Sequence, residues 1–252
     1  MKTIKQTLLA VSLLLVATFT VTAQNQMFTI HADYVKPSME KEYISVSKEY
    51  VAECKKHNLQ NADFTTIRLD NGTYLSFETI TNMAALDTDS SSPLADKMGK
   101  ENYQALLARF NKCYDRHGSY VINRIESLTY MPEGANAAQE GNNYRKYHYL
   151  YVTPSNAASV GAKIKAIKDL YAKKGSKMYF RVYHSGYGTL GEYFLIAVSA
   201  KDEQAHAIQS TENNKLLGEE IKPLMDDLLQ SISRYDPMTG YIRTDLSYTA
   251  TK

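Results

Sequence analysis

Tryptophan is absent from the chain, cysteine occurs twice in 252 residues, and neither sign of charge prevails. No CxxC, HExxH or tight carboxylate cluster occurs, so a structural zinc centre is not expected and the expected metal content is none. The 29 basic residues face 27 acidic ones, and Lys2 and Lys5 lie in the leader described below. The remainder has no basic surplus that would draw nucleic acid or an anionic membrane to the molecule as a whole. Beyond residue 21 no apolar run approaches the roughly 20 residues of a membrane span.

The one long apolar run is N-terminal. Met1 to Lys5 is a basic start, Leu8 to Val21 is apolar, and Val21-Thr22-Ala23 offers small residues before Gln24. Residues 1–23 therefore read as a signal peptide of bacterial type, and the expected address is periplasmic or extracellular. With Gln24 rather than a cysteine directly following the cleavage point, no lipid anchor is expected, and no membrane insertion after cleavage. What the chain has in plenty is tyrosine, 20 residues in all. Tyrosine brings apolar area together with a hydroxyl that seeks a partner when buried.

The sequence also returns on itself after about 117 positions. Tyr34-Val35-Lys36-Pro37-Ser38 recurs as Tyr151-Val152-Thr153-Pro154-Ser155, Gly72-Thr73 as Gly188-Thr189, and Leu128-Thr129-Tyr130 as Leu246-Ser247-Tyr248. A period this long is a duplicated domain, beyond the 20 to 50 residues of a solenoid repeat. In the first copy, residues 26–35 alternate as a strand, and Pro37 opens a helix whose apolar face is Met39, Tyr43, Val46, Tyr50 and Cys54. Strands 64–69 and 73–80 flank Asp70-Asn71-Gly72 as a hairpin. Residues 87–96 read as a loop, Tyr103, Leu106, Phe110 and Tyr114 as a second helix, and 120–130 as a closing strand. The second copy repeats the order: strand 146–152, helix through Val160 and Ile164, strands 178–184 and 192–199, a short helix over 202–209, a helix over 212–233, and strand 241–249. This divides the chain into a leader (1–23), unit 1 (24–131), a linker (132–143) and unit 2 (144–252). The expected fold class is α+β: two tandem ferredoxin-like β-α-β-β-α-β units whose antiparallel sheets pack face to face.

The tandem order, the YVxPS strand-to-helix junctions and the long closing strands resemble the dimeric α+β barrel superfamily, which includes antibiotic biosynthesis monooxygenases, EthD-like proteins and chlorite dismutases. The resemblance implies a pseudo-dimeric barrel of two facing sheets with a small-molecule cavity, as a monomer or a homodimer. Haem-degrading members use a Trp with Asn and His, and this chain has no Trp. His117 and His206 sit in no recognisable haem motif. No cofactor is expected, and cofactor-independent oxygenation stays open.

His31 and His148 are separated by the repeat offset and sit on the first strand of each copy, where two imidazoles facing a barrel interior could act as base, orient a ligand or bind a metal. Asp33 shares a face with His31 and could orient it, while its counterpart is Leu150. Arg68 and His184 correspond between copies and could hold an anionic ligand. Tyr149 and Tyr183 belong to a tyrosine-rich set that could line an aromatic cavity or simply pack. Cys54 and Cys113 lie near the C-terminal ends of two helices taken to run parallel, so a disulfide between them is expected. Three readings remain: a binder of a small aromatic or apolar ligand, a cofactor-independent monooxygenase- or isomerase-like enzyme with a histidine base, and a non-catalytic structural or interaction module. A side-chain-filled barrel would count against the first two, whereas a cavity lined by His31 or His148 beside a polar partner would favour catalysis.

Overall fold

The computed structural model describes residues 25–251 apart from residue 61 and residues 89–91, so the leader lies outside the described residues. In chain order the elements are β1 (Gln26–Val35), α1 (Glu40–Lys56), β2 (Asp63–Leu69), β3 (Thr73–Ile80), α2 (Ser92–Met98), α3 (Lys100–Cys113) and β4 (Tyr114–Arg124). Then come β5 (Tyr144–Val152), α4 (Ala157–Lys174), β6 (Phe180–Ser185), β7 (Glu192–Ala200), α5 (Glu203–Leu217), α6 (Ile221–Ser231), β8 (Arg234–Ile242) and β9 (Tyr248–Thr249). The β2–β3 hairpin turns where expected: Gly72 takes a φ of 84° and Asn71 Oδ1 accepts from the Thr73 N–H. Asp202 caps α5 by accepting from the Ala205 N–H at 2.8 Å.

The expected fold class is overturned. Two separate sheets do not face each other; eight antiparallel strands close into one barrel in the order β3-β1-β4-β6-β7-β5-β8-β2, with β2 pairing back onto β3. Two seams make the closure, β4 on β6 through Ile122 to Arg124, and β2 on β8 through Ile67 to Leu69. The physical reason lies at the strand edges. Exposed edges carry unpaired N–H and C=O groups, and pairing edge to edge satisfies them where face-to-face packing would leave them open.

Closure gives every strand an inside and an outside. Ile30, Ala32, Ile67, Leu75, Ile122 and Leu195 fill the lumen together with Tyr147 and Tyr193. Outside, one apolar layer joins Val160, Ile164 and Leu228 of α4 and α6 to Leu150, Val182 and Phe194. Two smaller clusters join α1 and α3 to β1, β2 and β3, one around Tyr43, Tyr74 and Cys113, the other around Cys54, Leu94 and Tyr103. Because the start of α1 packs with the end of α3 and the end of α1 with the start of α3, these helices run antiparallel. Cys54 and Cys113 are therefore at opposite ends, in different clusters, and both are free buried thiols. The expected disulfide is not formed.

Local boundaries move as well. Residues 92–98 form α2 where a loop was expected, β4 begins at Tyr114 rather than Tyr120, and β8 begins at Arg234 rather than Tyr241. Of the expected strand 120–130, the part after Arg124 keeps one isolated bridge, Tyr130 to Phe180. Among the described residues no helix is long and apolar enough to cross a membrane.

Candidate active site

The outward face of β1 carries His31 and Asp33, because the residues between and beside them, Ile30 and Ala32, point into the lumen. The β1–β4 register sets Ser119 opposite His31 and His117 opposite Asp33. From this placement a hydrogen-bonded string follows. His31 Nε2 lies 3.1 Å from Asp33 Oδ1, His31 Nδ1 lies 2.9 Å from Ser119 Oγ, and the Tyr43 hydroxyl of α1 donates to Asp33 Oδ2 at 2.8 Å. An ionised carboxylate can only accept, so Nε2 carries the proton and Nδ1 is left as the basic nitrogen, accepting from Ser119. The hydrogen bond to Asp33 raises the pKa of His31 above 6.5 against the opposing effect of burial, with smaller help from the Asp33 and Glu78 charges.

This string borders a cavity of about 720 Å³ between the outer face of the barrel and helices α1 and α3. Its walls carry several aromatic rings, among them Tyr50, Phe64, Phe110 and Tyr114, and the Glu78 carboxyl joins the polar side. Burial raises the pKa of Glu78, and burial likewise pushes the Tyr114 hydroxyl up to about 12. Tyr43, buried against Asp33, is held well above its ordinary value, so it serves as a proton-bearing donor that fixes the carboxylate. A volume of this size suits a small organic molecule.

His31, Asp33 and His117 also offer three ligand atoms within 4.8 Å of one another, and the His31 and His117 rings are 5.3 Å apart. Two imidazoles and a carboxylate are donors a divalent transition ion accepts. Here both nitrogens of His31 and both oxygens of Asp33 are already engaged, so a metal would have to displace the His31–Asp33 bond.

The other expected site residues do not join this cavity. His148 also points away from the lumen, but on β5, where Nδ1 meets the Tyr235 hydroxyl at 2.6 Å and the two rings stack. The two histidines neither face the barrel interior nor share a site, because both occupy the outward phase of their strands. Arg68 is held by Glu40 at the start of α1 at 2.5 Å, and the Tyr74 hydroxyl donates to the same carboxylate. His184 pairs with Glu192 at 3.1 Å and packs on the Phe194 ring. Tyr149 and Tyr183 fill the lumen, against Tyr193 and Phe28 respectively. Tyr43, Ser119 and His117 were missed. With β4 starting at Tyr114, His117 and Ser119 stand two apart on one strand face, whereas the four-residue spacing of Phe110 and Tyr114 reads as a helix running through Tyr114.

No family model and no curated protein matches the chain. Its fold is found in solved structures. A candidate monooxygenase from Fusobacterium nucleatum subsp. nucleatum ATCC 25586 shares 12% identity at a TM-score of 0.54, covering 87% of this chain and 93% of the other. A candidate monooxygenase from Lactobacillus acidophilus NCFM shares 11% at 0.53, covering 90% and 97%. An anthrone oxidase-like protein shares 11% at 0.55, covering 91% and 95%. At such identities the likeness is one of fold.

Proposed function

We propose that the chain is a cofactor-independent oxygenase that takes a flat aromatic substrate with an acidic C–H or O–H into the cavity beside α1 and α3, with His31 as base. The observation that carries this reading is the orientation of His31: Asp33 holds the Nε2 proton and leaves Nδ1 basic at the edge of an aromatic cleft. For a substrate with an activated CH₂ group, Nδ1 takes one proton and the resulting carbanion gives its electrons to O₂. A C–O bond forms, the hydroperoxide is completed by the returning proton, and loss of water leaves a carbonyl. Asp33 stabilises the imidazolium while it exists. The monooxygenase and anthrone oxidase-like assignments of the fold neighbours agree with this class of reaction. Residues 1–23 fit a leader, and we place the activity outside the cytoplasm on that basis.

Anthrone conversion to anthraquinone, with O₂ uptake measured in the presence of EDTA, tests the proposal. His31→Gln should lower kcat by about 10²-fold or more, the range of a general base. Asp33→Asn should lower the pKa governing the rate, which in the unmodified protein lies above 6.5 because His31 must lose its proton to act. An unchanged rate in His31→Gln would refute the assignment, and loss of turnover on adding EDTA would transfer the chemistry to a metal held by His31, Asp33 and His117. The same string also reads as Ser119–His31–Asp33 for acyl transfer. That reading requires aryl-ester hydrolysis abolished by Ser119→Ala, whereas oxygenation should survive that change.

A further inference from the structure

The end of the barrel remote from His117 and Ser119 holds an unusual charge arrangement. Arg124 of β4, Arg145 of β5 and Arg181 of β6 sit at this end, where a cavity of about 830 Å³ opens into the lumen. Across the sheet they are near neighbours: Arg124 registers with Tyr183, Arg181 with Ala197 and Arg145 with Ser199. Arg124 has a carboxylate partner, Glu126, at 2.6 Å. Neither Arg145 nor Arg181 forms an ion pair with any described residue. Glu140 borders the same cavity but is exposed and pairs with none of the three.

The two guanidinium groups donate to neutral oxygens instead. Arg181 Nε and Nη2 donate to the carbonyls of Ala135 and Ala137 at 2.9 and 2.7 Å and its Nη1 to the Gln139 side-chain oxygen at 3.4 Å, while Arg145 Nη1 donates to the carbonyls of Asn142 and Tyr144. Thus the segment 132–143 crosses the mouth of the barrel and is tied there by arginines. Carbonyl dipoles solvate a guanidinium without neutralising it, and burial lowers the pKa of both side chains, a sign of charge left without compensation. Arg145 Nε and Nη2 make no hydrogen bond to described residues. Below the arginines the cavity floor is apolar and aromatic, with Phe28, Phe77, Tyr147, Tyr183 and Leu195.

We propose that this cavity is a second binding site, for an aromatic carboxylate whose anionic head sits on Arg145 and Arg181 and whose ring lies on the aromatic floor. A carboxylate matches the fork of a guanidinium and brings negative charge to a site that has none for these two arginines. The site is independent of the His31 cleft, so either can fail without the other.

Binding of naphthoate and of its neutral counterpart naphthamide to the full chain, by calorimetry and amide shift mapping, tests this. Naphthoate should bind with shifts at Ala135, Ala137 and Gln139, and naphthamide should bind roughly tenfold or more weakly for want of charge-assisted hydrogen bonds. Arg145→Gln and Arg181→Gln, checked for native circular dichroism, should each weaken naphthoate by a similar factor, while His31→Gln leaves it unchanged. Equal affinity for the two ligands, or shifts confined to the α1/α3 cleft, would overturn the proposal. Should the glutamine variants fail to fold, the ligand comparison and shift map on the unmodified protein still decide it.

Discussion

His31 and His148 stand on the outward phase of equivalent-looking strands and have opposite electrostatics. His31 meets a buried carboxylate, which raises its pKa; its contribution to stability is complete below pH 6.5 and is lost as the pH rises through the folded value. His148 meets a neutral phenol, with burial first and then Lys146 and His206 lowering its pKa from 6.5 to about 4. The native state therefore binds fewer protons there than the unfolded state, and stability should fall as the pH drops from 6.5 towards 4. For a half-buried group the loss by pH 4.5 is on the order of 1–2 kcal/mol. Urea midpoints at pH 7 and 4.5 check this: His148→Phe, which keeps a ring against Tyr235, should lose less stability on acidification than the unmodified protein. An equal loss in both would mean that His148 is not the group that titrates.

At the scale of elements, closure depends on two short seams, and each has a glycine pressed against the partner strand. A Cβ on Gly240 would lie 2.9 Å from the Arg68 carbonyl oxygen and 3.0 Å from Leu69 Cδ2, and one on Gly186 would lie 2.8 Å from the Val121 carbonyl oxygen. Backbone atoms in a paired strand cannot step aside cheaply. Gly240→Ala should destabilise by roughly 1–3 kcal/mol through overpacking, whereas Gly118→Ala, with no atom within 4 Å, should stay near neutral; thermal melts of the two variants separate them. These seams also explain what could be read in advance. The Asp70-Asn71-Gly72 turn, the buried stripe Tyr43, Val46 and Cys54, and the shared face of His31 and Asp33 follow from local spacing, and each was legible. Pairing of Ile67 with Ile242, or of Ile122 with Ser185, joins residues remote in sequence, and the alternation that serves two facing sheets serves a closed barrel equally well. Which face of β1 turned inward was also hidden, since Phe28, Ile30 and Ala32 could have packed on helices as readily as in a lumen. That choice decided whether His31 met the barrel interior or the aromatic cleft.

For the whole molecule, the lumen is the shared core. Ile30, Ile67 and Ile122 come from the first part of the chain, Tyr147, Tyr193 and Leu195 from the second, and neither set is buried unless both seams are closed. Burial of this kind couples the helical layers on opposite sides of the barrel, because opening either seam exposes lumen residues belonging to both. Unfolding should accordingly be a single transition. The two free thiols make a natural probe for one side, since Cys54 of α1 and Cys113 of α3 are both fully buried. The other side is reported by Tyr171→Trp, a unique tryptophan in a chain that otherwise has none, placed against the layer of Val160, Ile164 and Leu228. In equilibrium urea unfolding, thiol labelling, tryptophan emission and circular dichroism should share one midpoint. If the cysteines became reactive at a lower urea concentration while tryptophan emission stayed native, the α1/α3 side would be opening by itself, and the lumen would not be the element that unites the fold.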